Sequence, residues 1–326
     1  MLVLTAACLT NRVALHRSET GMNMIHLHFS IRFARQACAL LFVAAASALA
    51  SAAAIPLKLI VPPIEPSARG HASYFPQVLE LALRKTEPTH GPFTIAAYPW
   101  PVSVERSVEE LRSGKAINLI WTATNQSREQ SLLPVRISLL RELNNYRLFL
   151  IRGNDQARFD QVQNADDLRK LRAGLAAHWS DTATMRGNGY NVTTSLHYNA
   201  LFQMLALNRF DYFPRGLYEV WNEEQLHRDK GLRIEKNLML YYPAPFYFFV
   251  NKNDTALAER IELGLRMAQE DGSFDRLLLS FPGFKRGMDE QQKRSSRKLF
   301  ILDGLPMPPP APTAAAENRA HRPLAR

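Results

Sequence analysis

Cysteine is nearly absent from this chain of 326 residues, which contains only Cys8 and Cys38. Both lie in the first 54 residues, ahead of the part whose strand and helix patterns predict a folded protein. The rest of the chain therefore cannot depend on disulfide bonds for stability. It also has no thiol that could act as a nucleophile.

The signatures of common enzymes are missing as well. The sequence contains no G-x-S-x-G, H-E-x-x-H, C-x-x-C or Walker motif. Gly187 and Gly189 follow a predicted helix and lack the third glycine of a dinucleotide-binding loop. The histidines after residue 54 are far apart, and none has metal-ligand spacing to another: His71, His90, His178, His197, His227 and His321. We therefore expect no metal and no cofactor, and these absences weaken the case for an enzyme without excluding one.

A hydrophobic run long enough to span a membrane comfortably is also absent. The apolar residues 37–50 are too few and too rich in alanine, since a span needs about 20 apolar residues. Arg32 and Arg35 precede this run, as in the basic start of a secretory signal peptide. We therefore predict a signal peptide over residues 1–54 and export to the periplasm.

The sequence leaves alternatives for both the translation start and the cleavage site of this signal peptide. Small residues at 48–50 and 52–54 predict cleavage near Ala50 to Ala54. The first 21 residues precede a conventional short leader, so translation starting at Met22 or Met24 is an alternative to Met1. An uncleaved membrane anchor is the alternative to cleavage.

Acidic residues are outnumbered by basic ones, which gives a formal net charge of +10. The positive residues are scattered, apart from residues 285–286 and 293–298, and no helix-turn-helix, zinc-finger or RRM-type signature accompanies them. A solvated helix face explains those two groups. We expect no nucleic-acid partner.

Strand and helix patterns alternate in the first half of the chain. Residues 57–61, 93–97 and 117–121 are predicted strands, and residues 74–86 and 103–113 are predicted helices with apolar positions at helical spacing. This alternation predicts a parallel sheet flanked by helices.

A second group of elements begins after Pro134. Asp254 and Gly272 bound a later helix, and residues 273–280 add a final helical segment. The Pro- and Ala-rich residues 301–326 are predicted to be a disordered tail. The other elements predicted in this half are strands at 146–151, 173–177, 190–192, 210–213 and 241–250 and helices at 181–186 and 198–208.

Three segments at strand ends carry side chains suited to a small polar ligand. In the first, Trp121, Thr122, Thr124 and Arg128 combine hydroxyl groups with a guanidinium, which together suit a carboxylate. The alternative is that Ser127 caps a helix and Arg128 pairs with its neighbour in solvent.

The second segment contains Trp179, Asp181 and Thr182 at the start of a predicted helix, where free N–H groups attract anions. In the third, Pro214 and Gly216 flank Arg215 after a predicted strand. Ligands of open α/β sheets bind outside the carboxyl ends of strands, so Arg215 is a candidate anion contact. Helix capping and a surface turn are the respective alternatives.

Parts of this sequence resemble the polar amino acid binding family of ABC importers, within the type II periplasmic solute-binding proteins. Residues 122–128, Thr-Ala-Thr-Asn-Gln-Ser-Arg, are similar to the family's T-x-T-x-x-R segment with one extra residue. Residues 250–254 and 269–275 are similar to its return strand and its D-G-[ST]-[FY]-D turn. The resemblance covers about residues 56–285.

The resemblance implies an α/β fold of two lobes, each a mixed sheet flanked by helices, joined by two crossing strands. Residues 55–144 and 251–300 would form the first lobe, and residues 145–250 the second. It also implies a monomer that closes on a small polar or anionic solute, with Tyr74, Trp121 or Trp179 as aromatic walls. The partner would be a membrane ABC permease or a membrane receptor.

Two residues matter most for the ligand that the resemblance implies. The family's arginine, matched by Arg128, clamps the ligand α-carboxylate, whereas an acidic residue in the second lobe commonly holds the ligand ammonium. Arg215 stands in that acidic neighbourhood, so an anionic ligand between two arginines is expected. Replacing Arg215 with alanine should then weaken binding of an anion and leave the fold intact.

An enzyme on the same scaffold is the alternative function, because some relatives of the family are similar to dehydratases of cyclohexadiene acids. Such a reaction needs a general acid or base in the cleft. Asp181, Glu219 and His178 are the candidates, although no motif pairs them.

Overall fold

The computed structural model describes residues 55–292 and 296–304. The predicted signal peptide, its cleavage site and the predicted tail beyond residue 304 lie outside these residues. Within the described part, no helix has both the length and the apolar character needed to cross a membrane.

In the part of the chain that the structure describes, five strands and the helices around them form the first lobe. Its strands are β1 (Leu57–Val61), β2 (Phe93–Ala97), β3 (Leu119–Ala123), β4 (Leu132–Val135) and β11 (Phe246–Asn251), and its helices are α1 (Arg69–Ala72), α2 (Tyr74–His90), α3 (Val104–Ser113), α4 (Gln126–Ser131), α10 (Thr255–Glu270) and α11 (Ser273–Ser280). β1 runs parallel to β2, as the alternation predicts. β3 differs from the predicted parallel sheet, because the returning strand β11 lies between β3 and β4 and is antiparallel to both.

The described residues contribute seven strands to the second lobe. They are β5 (Tyr146–Arg152), β6 (Arg172–Ala176), β7 (Asn191–Ser195), β8 (Phe213–Gly216), β9 (Leu232–Ile234), β10 (Leu238–Tyr241) and β12 (Lys298–Ile301), with helices α5 (Gln156–Phe159), α6 (Ala165–Arg169), α7 (Ser180–Gly187), α8 (Tyr198–Ala206) and α9 (Val220–Leu226). One sheet has the order β12, β10, β5, β8, with β9 also paired to β5. β6 and β7 form a parallel pair beside it.

The strand that carries Arg215 differs from its prediction. The predicted strand ended at residue 213, but β8 begins there, and Pro214 lies within it opposite Phe149. β8 is the last strand of its sheet, where a proline can occupy a position that needs no ladder hydrogen bond. Arg215 is therefore a buried strand residue rather than part of a surface turn.

The strand pairing also differs from the predicted lobe boundaries. β11 pairs with first-lobe strands from Phe246 onward, so the chain returns to that lobe before residue 251. β12 pairs with β10 in the second lobe, although the first lobe was expected to extend to residue 300. Ile301 belongs to this strand and the Leu302 N–H donates to Tyr241 O, so the predicted tail begins later than residue 301.

Helix α12 (Pro282–Gln292) precedes β12 and contacts both lobes. The buried ring of Phe284 lies 4.8 Å from the Tyr74 ring of the first lobe and 5.7 Å from the Tyr218 ring of the second. The Arg286 guanidinium lies 3.9 Å from the centre of the Trp221 ring in α9. The C-terminal segment is thus a further link between the lobes.

The close packing of α10 against α2 depends on Gly264, where an added Cβ would overlap the carbonyl oxygen of Ala82. We expect Gly264→Ala to lower the free energy of unfolding by about 1–3 kcal/mol, because the clashing atom belongs to the backbone of a packed helix. Urea denaturation measures this change. Gly187→Ala is the matched control, since nothing lies within 4 Å of its added Cβ; an equal loss in both variants would contradict the packing explanation.

Candidate functional site

A cleft of about 320 Å³ opens between the two lobes. The residues that follow β1, β3 and β6 reach it, as expected for the carboxyl ends of strands in an α/β sheet. Its lining includes Pro62, His71, Phe75, Trp121, Thr122 and Arg128 from the first lobe, and Asn144, Arg147, His178, Trp179, Ser180, Asp181, Tyr198, Arg215, Tyr218 and Glu219 from the second.

Arg128 lies in the cleft with only 7% of its surface exposed. The Asn125 side chain caps α4 by accepting from the Arg128 N–H at 2.8 Å, which fixes the start of this short helix. The guanidinium donates from Nη1 to Ala123 O at 2.7 Å and from Nη2 to His178 O at 3.4 Å. None of the described residues places a carboxylate at ion-pair distance from it.

Burial lowers the pKa of Arg128, and the charges of Glu105 and Asp181, which act from beyond ion-pair distance, oppose this shift. A desolvated guanidinium without a counter-charge is costly in a folded protein. This cation is therefore suited to an anion that is not part of the chain.

Arg147 and Asp181 form a second charged group in the cleft. Asp181 Oδ1 accepts from Arg147 Nη2 at 2.7 Å and from the Tyr242 hydroxyl at 2.6 Å. Burial by itself would raise the pKa of Asp181, but the Arg147 charge and these hydrogen bonds outweigh it, so the pKa falls. The two residues neutralise each other.

Arg215 is held by two carboxylates. Its Nη2 lies 2.8 Å from Glu219 Oε2 and 2.6 Å from Glu223 Oε1, and its Nε donates to Glu223 Oε2 at 2.7 Å. The guanidinium also lies 4.7 Å from the centre of the Trp179 ring and 4.6 Å from that of the Phe213 ring. Its charge is thus satisfied within the second lobe, in contrast to that of Arg128.

His71 of the first lobe reaches the same group, with Nε2 3.8 Å from Glu219 Oε2. Burial lowers the pKa of His71 to about 4, so the imidazole is neutral at pH 7. Its Nδ1 has no hydrogen-bond partner among the described residues. Ligand atoms of His71, Glu219 and Glu223 lie within 4.8 Å of one another, but the Arg215 guanidinium already occupies both carboxylates, so these residues do not fit a metal ion.

Of the nine ligand residues predicted from the sequence, six line the cleft: Trp121, Thr122, Arg128, Trp179, Asp181 and Arg215. The other three do not line the cleft, because their hydroxyl groups form hydrogen bonds inside the protein. Tyr74 is in the core and donates to Leu139 O at 2.7 Å, Thr124 donates to Glu129 Oε1 at 2.6 Å, and Thr182 donates to Ala176 O at 2.8 Å.

Several lining residues were not among those nine. Arg147 could have been predicted as a site residue, because it is a lone charged residue in the apolar run 146–151. Phe75 adds to the aromatic wall, with its ring stacked 5.7 Å from Trp121 and 4.9 Å from Phe246. His71 and Tyr218 carry no signal in the sequence that separates them from ordinary core residues.

No protein-family model matches this chain, and no curated protein matches it either. Solved structures do match. An ancestral arginine-binding protein bound to glutamine has a TM-score of 0.54 at 14% identity, over 71% of this chain and 100% of that chain. A Salmonella typhimurium periplasmic binding protein with high arginine specificity has a TM-score of 0.51 at 13% identity, over 70% of this chain and 99% of that chain.

A third similar structure is an ancestral amino acid-binding protein described as a precursor of cyclohexadienyl dehydratase, with a TM-score of 0.50 at 11% identity, over 69% of this chain and 94% of that chain. At these identities the likeness concerns the fold. The predicted α/β architecture of a two-lobed type II periplasmic binding protein is confirmed.

Proposed function

We propose that this chain is an exported solute-binding protein whose lobes close over a small solute that bears a carboxylate. The observation that carries this proposal is the buried Arg128 guanidinium, which faces the cleft and has no carboxylate partner among the described residues. A ligand carboxylate supplies the missing counter-charge and two hydrogen-bond acceptors.

The start of α7 supports the same ligand group. Ser180 and Asp181 line the cleft at the N-terminus of this helix, and no side chain caps it. Free N–H groups at a helix start favour an anion. Arg128 donates to His178 O just ahead of this helix, so the two features lie close together.

Arg215 and Arg147 are both paired with carboxylates of the protein, and this changes the charge expected of the ligand. Arg215 was expected to be a second free cation, but Glu219 and Glu223 neutralise it, and Asp181 neutralises Arg147. One carboxylate on the ligand is then sufficient. Zwitterionic amino acids are therefore candidates again beside simple carboxylates, with the aromatic rings of Phe75, Trp121 and Trp179 as walls.

Delivery to a membrane ABC permease is the role that we propose for the bound solute, with the chain acting as a monomer. Reporting to a membrane receptor uses the same closed form. The recognised chemistry is identical in the two roles, because both depend on lobes that close around the ligand.

A thermal-shift screen of the twenty L-amino acids and small mono- and dicarboxylates tests the proposal. A ligand present at about 100 times its Kd should stabilise the protein by about 2.7 kcal/mol. Small-angle scattering with the hit tests whether the lobes are closed in the complex. If no compound in the panel raises the Tm, the binding function is contradicted.

A second candidate function is that of an enzyme of the cyclohexadienyl dehydratase type. The raised pKa of Glu219 in the cleft favours it. Burial raises the pKa of Glu219 to about 7; the Arg215 charge opposes this shift and the Glu223 charge adds to it. A carboxyl group with a pKa near 7 is suited to act as a general acid. Incubation with prephenate and arogenate separates the two functions, because a binding protein turns over neither compound.

A further inference from the structure

The group formed by His71, Arg215, Glu219 and Glu223 contains two carboxylates for one guanidinium. Glu223 is fully buried, and both Glu219 and Arg215 are more than nine-tenths buried. Arg215 Nη2 contacts an oxygen of each carboxylate, so a single positive charge is shared between two negative ones. One negative charge is left over in a place that water reaches poorly.

Within residues 55–292 and 296–304, no neighbouring cation removes this surplus. His71 is the nearest imidazole, and burial keeps it neutral at pH 7 by lowering its pKa to about 4. Arg147 is bound to Asp181 at 2.7 Å. The groups that face Glu219 or its partner Glu223 are His71 from α1, Arg147 from β5, Tyr198 from α8, Arg215 from β8, Tyr218 from the β8–α9 connection, Glu223 from α9, and His227 directly after α9, whose pKa burial lowers.

The two tyrosines among these groups remain neutral, because burial and the neighbouring carboxylates raise their pKa values well above the usual range. Tyr198 donates to Glu223 Oε1 at 2.6 Å. The Gly216 N–H donates to Glu219 Oε1 at 2.9 Å. These hydrogen bonds stabilise the carboxylates but supply no positive charge.

Glu219 is the member that faces the cleft, whereas Glu223 lies behind it and is bound by Arg215 through both of its oxygens. When two carboxylates share one site, one of them keeps its charge and the other holds a proton. Arg215 contacts both oxygens of Glu223 but only one oxygen of Glu219, so Glu219 is the one that takes the proton. The raised pKa of Glu219, about 7, and the lowered pKa of Glu223 agree with this assignment.

We propose that Glu219 holds a proton in the ligand-free cleft and that the cationic amino group of a ligand replaces this proton. The proposal rests on the proposed function, in which Arg128 binds the carboxylate of the same ligand. In the exchange, the Glu219 O–H bond breaks, the proton passes to solvent, and an N–H of the ligand ammonium donates to the carboxylate. No covalent bond to the ligand forms.

Two matched pairs of probes, L-glutamate with glutarate and L-aspartate with succinate, test the exchange, because the members of each pair differ only in the amino group. Isothermal titration calorimetry at pH 7 in phosphate and in Tris counts the protons released on binding. We expect about half a proton per site for an amino compound, since a group with a pKa of about 7 is half protonated at this pH. We expect no release for its deamino partner.

In Glu219→Gln the proton release should disappear, and the preference for the amino compound over its partner should fall by about tenfold or more. Glu219→Asp keeps a carboxyl group and should restore part of the release. Glu224→Gln is the matched control, because this carboxylate lies on the same helix, pairs with Arg228 and is outside the cleft lining. Equal release from amino and deamino probes, or unchanged release in Glu219→Gln, would overturn the inference.

A potentiometric titration of the ligand-free protein separates this inference from the proposed function. Wild type should take up more protons than Glu219→Gln between pH 8 and pH 6, by about 0.8 proton per molecule for a group with a pKa of about 7. If none of the four probes binds but this difference is present, the ligand assignment fails and the protonated Glu219 stands. If the difference is absent, the inference fails even where the probes bind.

Discussion

Replacing Arg128 with methionine is expected to remove carboxylate binding while leaving the folded protein stable. Loss of one partner of a buried charge-assisted contact costs about 2–5 kcal/mol of binding free energy, which corresponds to a Kd between about 30-fold and several thousand-fold higher. Titration calorimetry with the best ligand from the thermal-shift screen measures this change. Methionine keeps most of the length and apolar contact of the side chain.

The stability of the ligand-free Arg128→Met variant provides a second readout. The variant loses the hydrogen bonds to Ala123 O and His178 O but no longer buries an unpaired charge. We expect its free energy of unfolding to lie within about 1 kcal/mol of wild type. Arg112→Ala, at an exposed arginine paired with Glu109, is the control; if both variants bound the ligand like wild type, Arg128 would not be the anion contact.

Replacing Arg215 with methionine should instead destabilise the fold. The variant leaves Glu219 and Glu223 buried without their cation, and breaking such a pair typically costs about 3–5 kcal/mol. Urea denaturation at pH 7 measures the loss. Arg228→Met is the control, because Arg228 is mostly exposed and pairs with Glu224 on the surface.

The stability lost in Arg215→Met should depend on pH, and it should become smaller as the pH falls. In wild type the pKa of Glu223 is lowered, so its contribution to stability is present above the unfolded pKa and is lost as the pH falls. Without Arg215, burial raises the carboxylate pKa values, and the folded state then favours protonated carboxyls. The deficit of Arg215→Met should therefore shrink toward pH 4.5, and a second change, Glu223→Gln, should recover part of it at pH 7. A deficit that is constant with pH would contradict the role of the two carboxylates.

Local patterns predicted much of the fold. The helix that begins at Tyr74 and the strands at residues 57–61 and 93–97 were readable because each shows its own periodicity over neighbouring residues. Arg128 was predicted from the hydroxyl and arginine side chains that follow a strand, and it lines the cleft.

The environment of Arg215 was not predictable in the same way. Its partners Glu219 and Glu223 follow in a turn and a helix, and sequence spacing does not show that a strand residue will contact them. Pro214 was interpreted as the end of a strand, although an edge strand tolerates it. His71 reaches the group from the other lobe, and a single sequence does not show contacts between such distant positions.

The C-terminal segment packs against both lobes. Phe284 packs against Tyr74 of one lobe and Tyr218 of the other, and β12 then joins the sheet of the second lobe. For the lobes to separate, this ring has to leave one of its two neighbours and expose apolar surface, at a cost of about 25 cal/mol for each Å². That cost falls on the open form alone. In the proposed function the lobes open to admit a solute, so a shorter C-terminus should shift the apparent affinity without altering a single residue of the cleft.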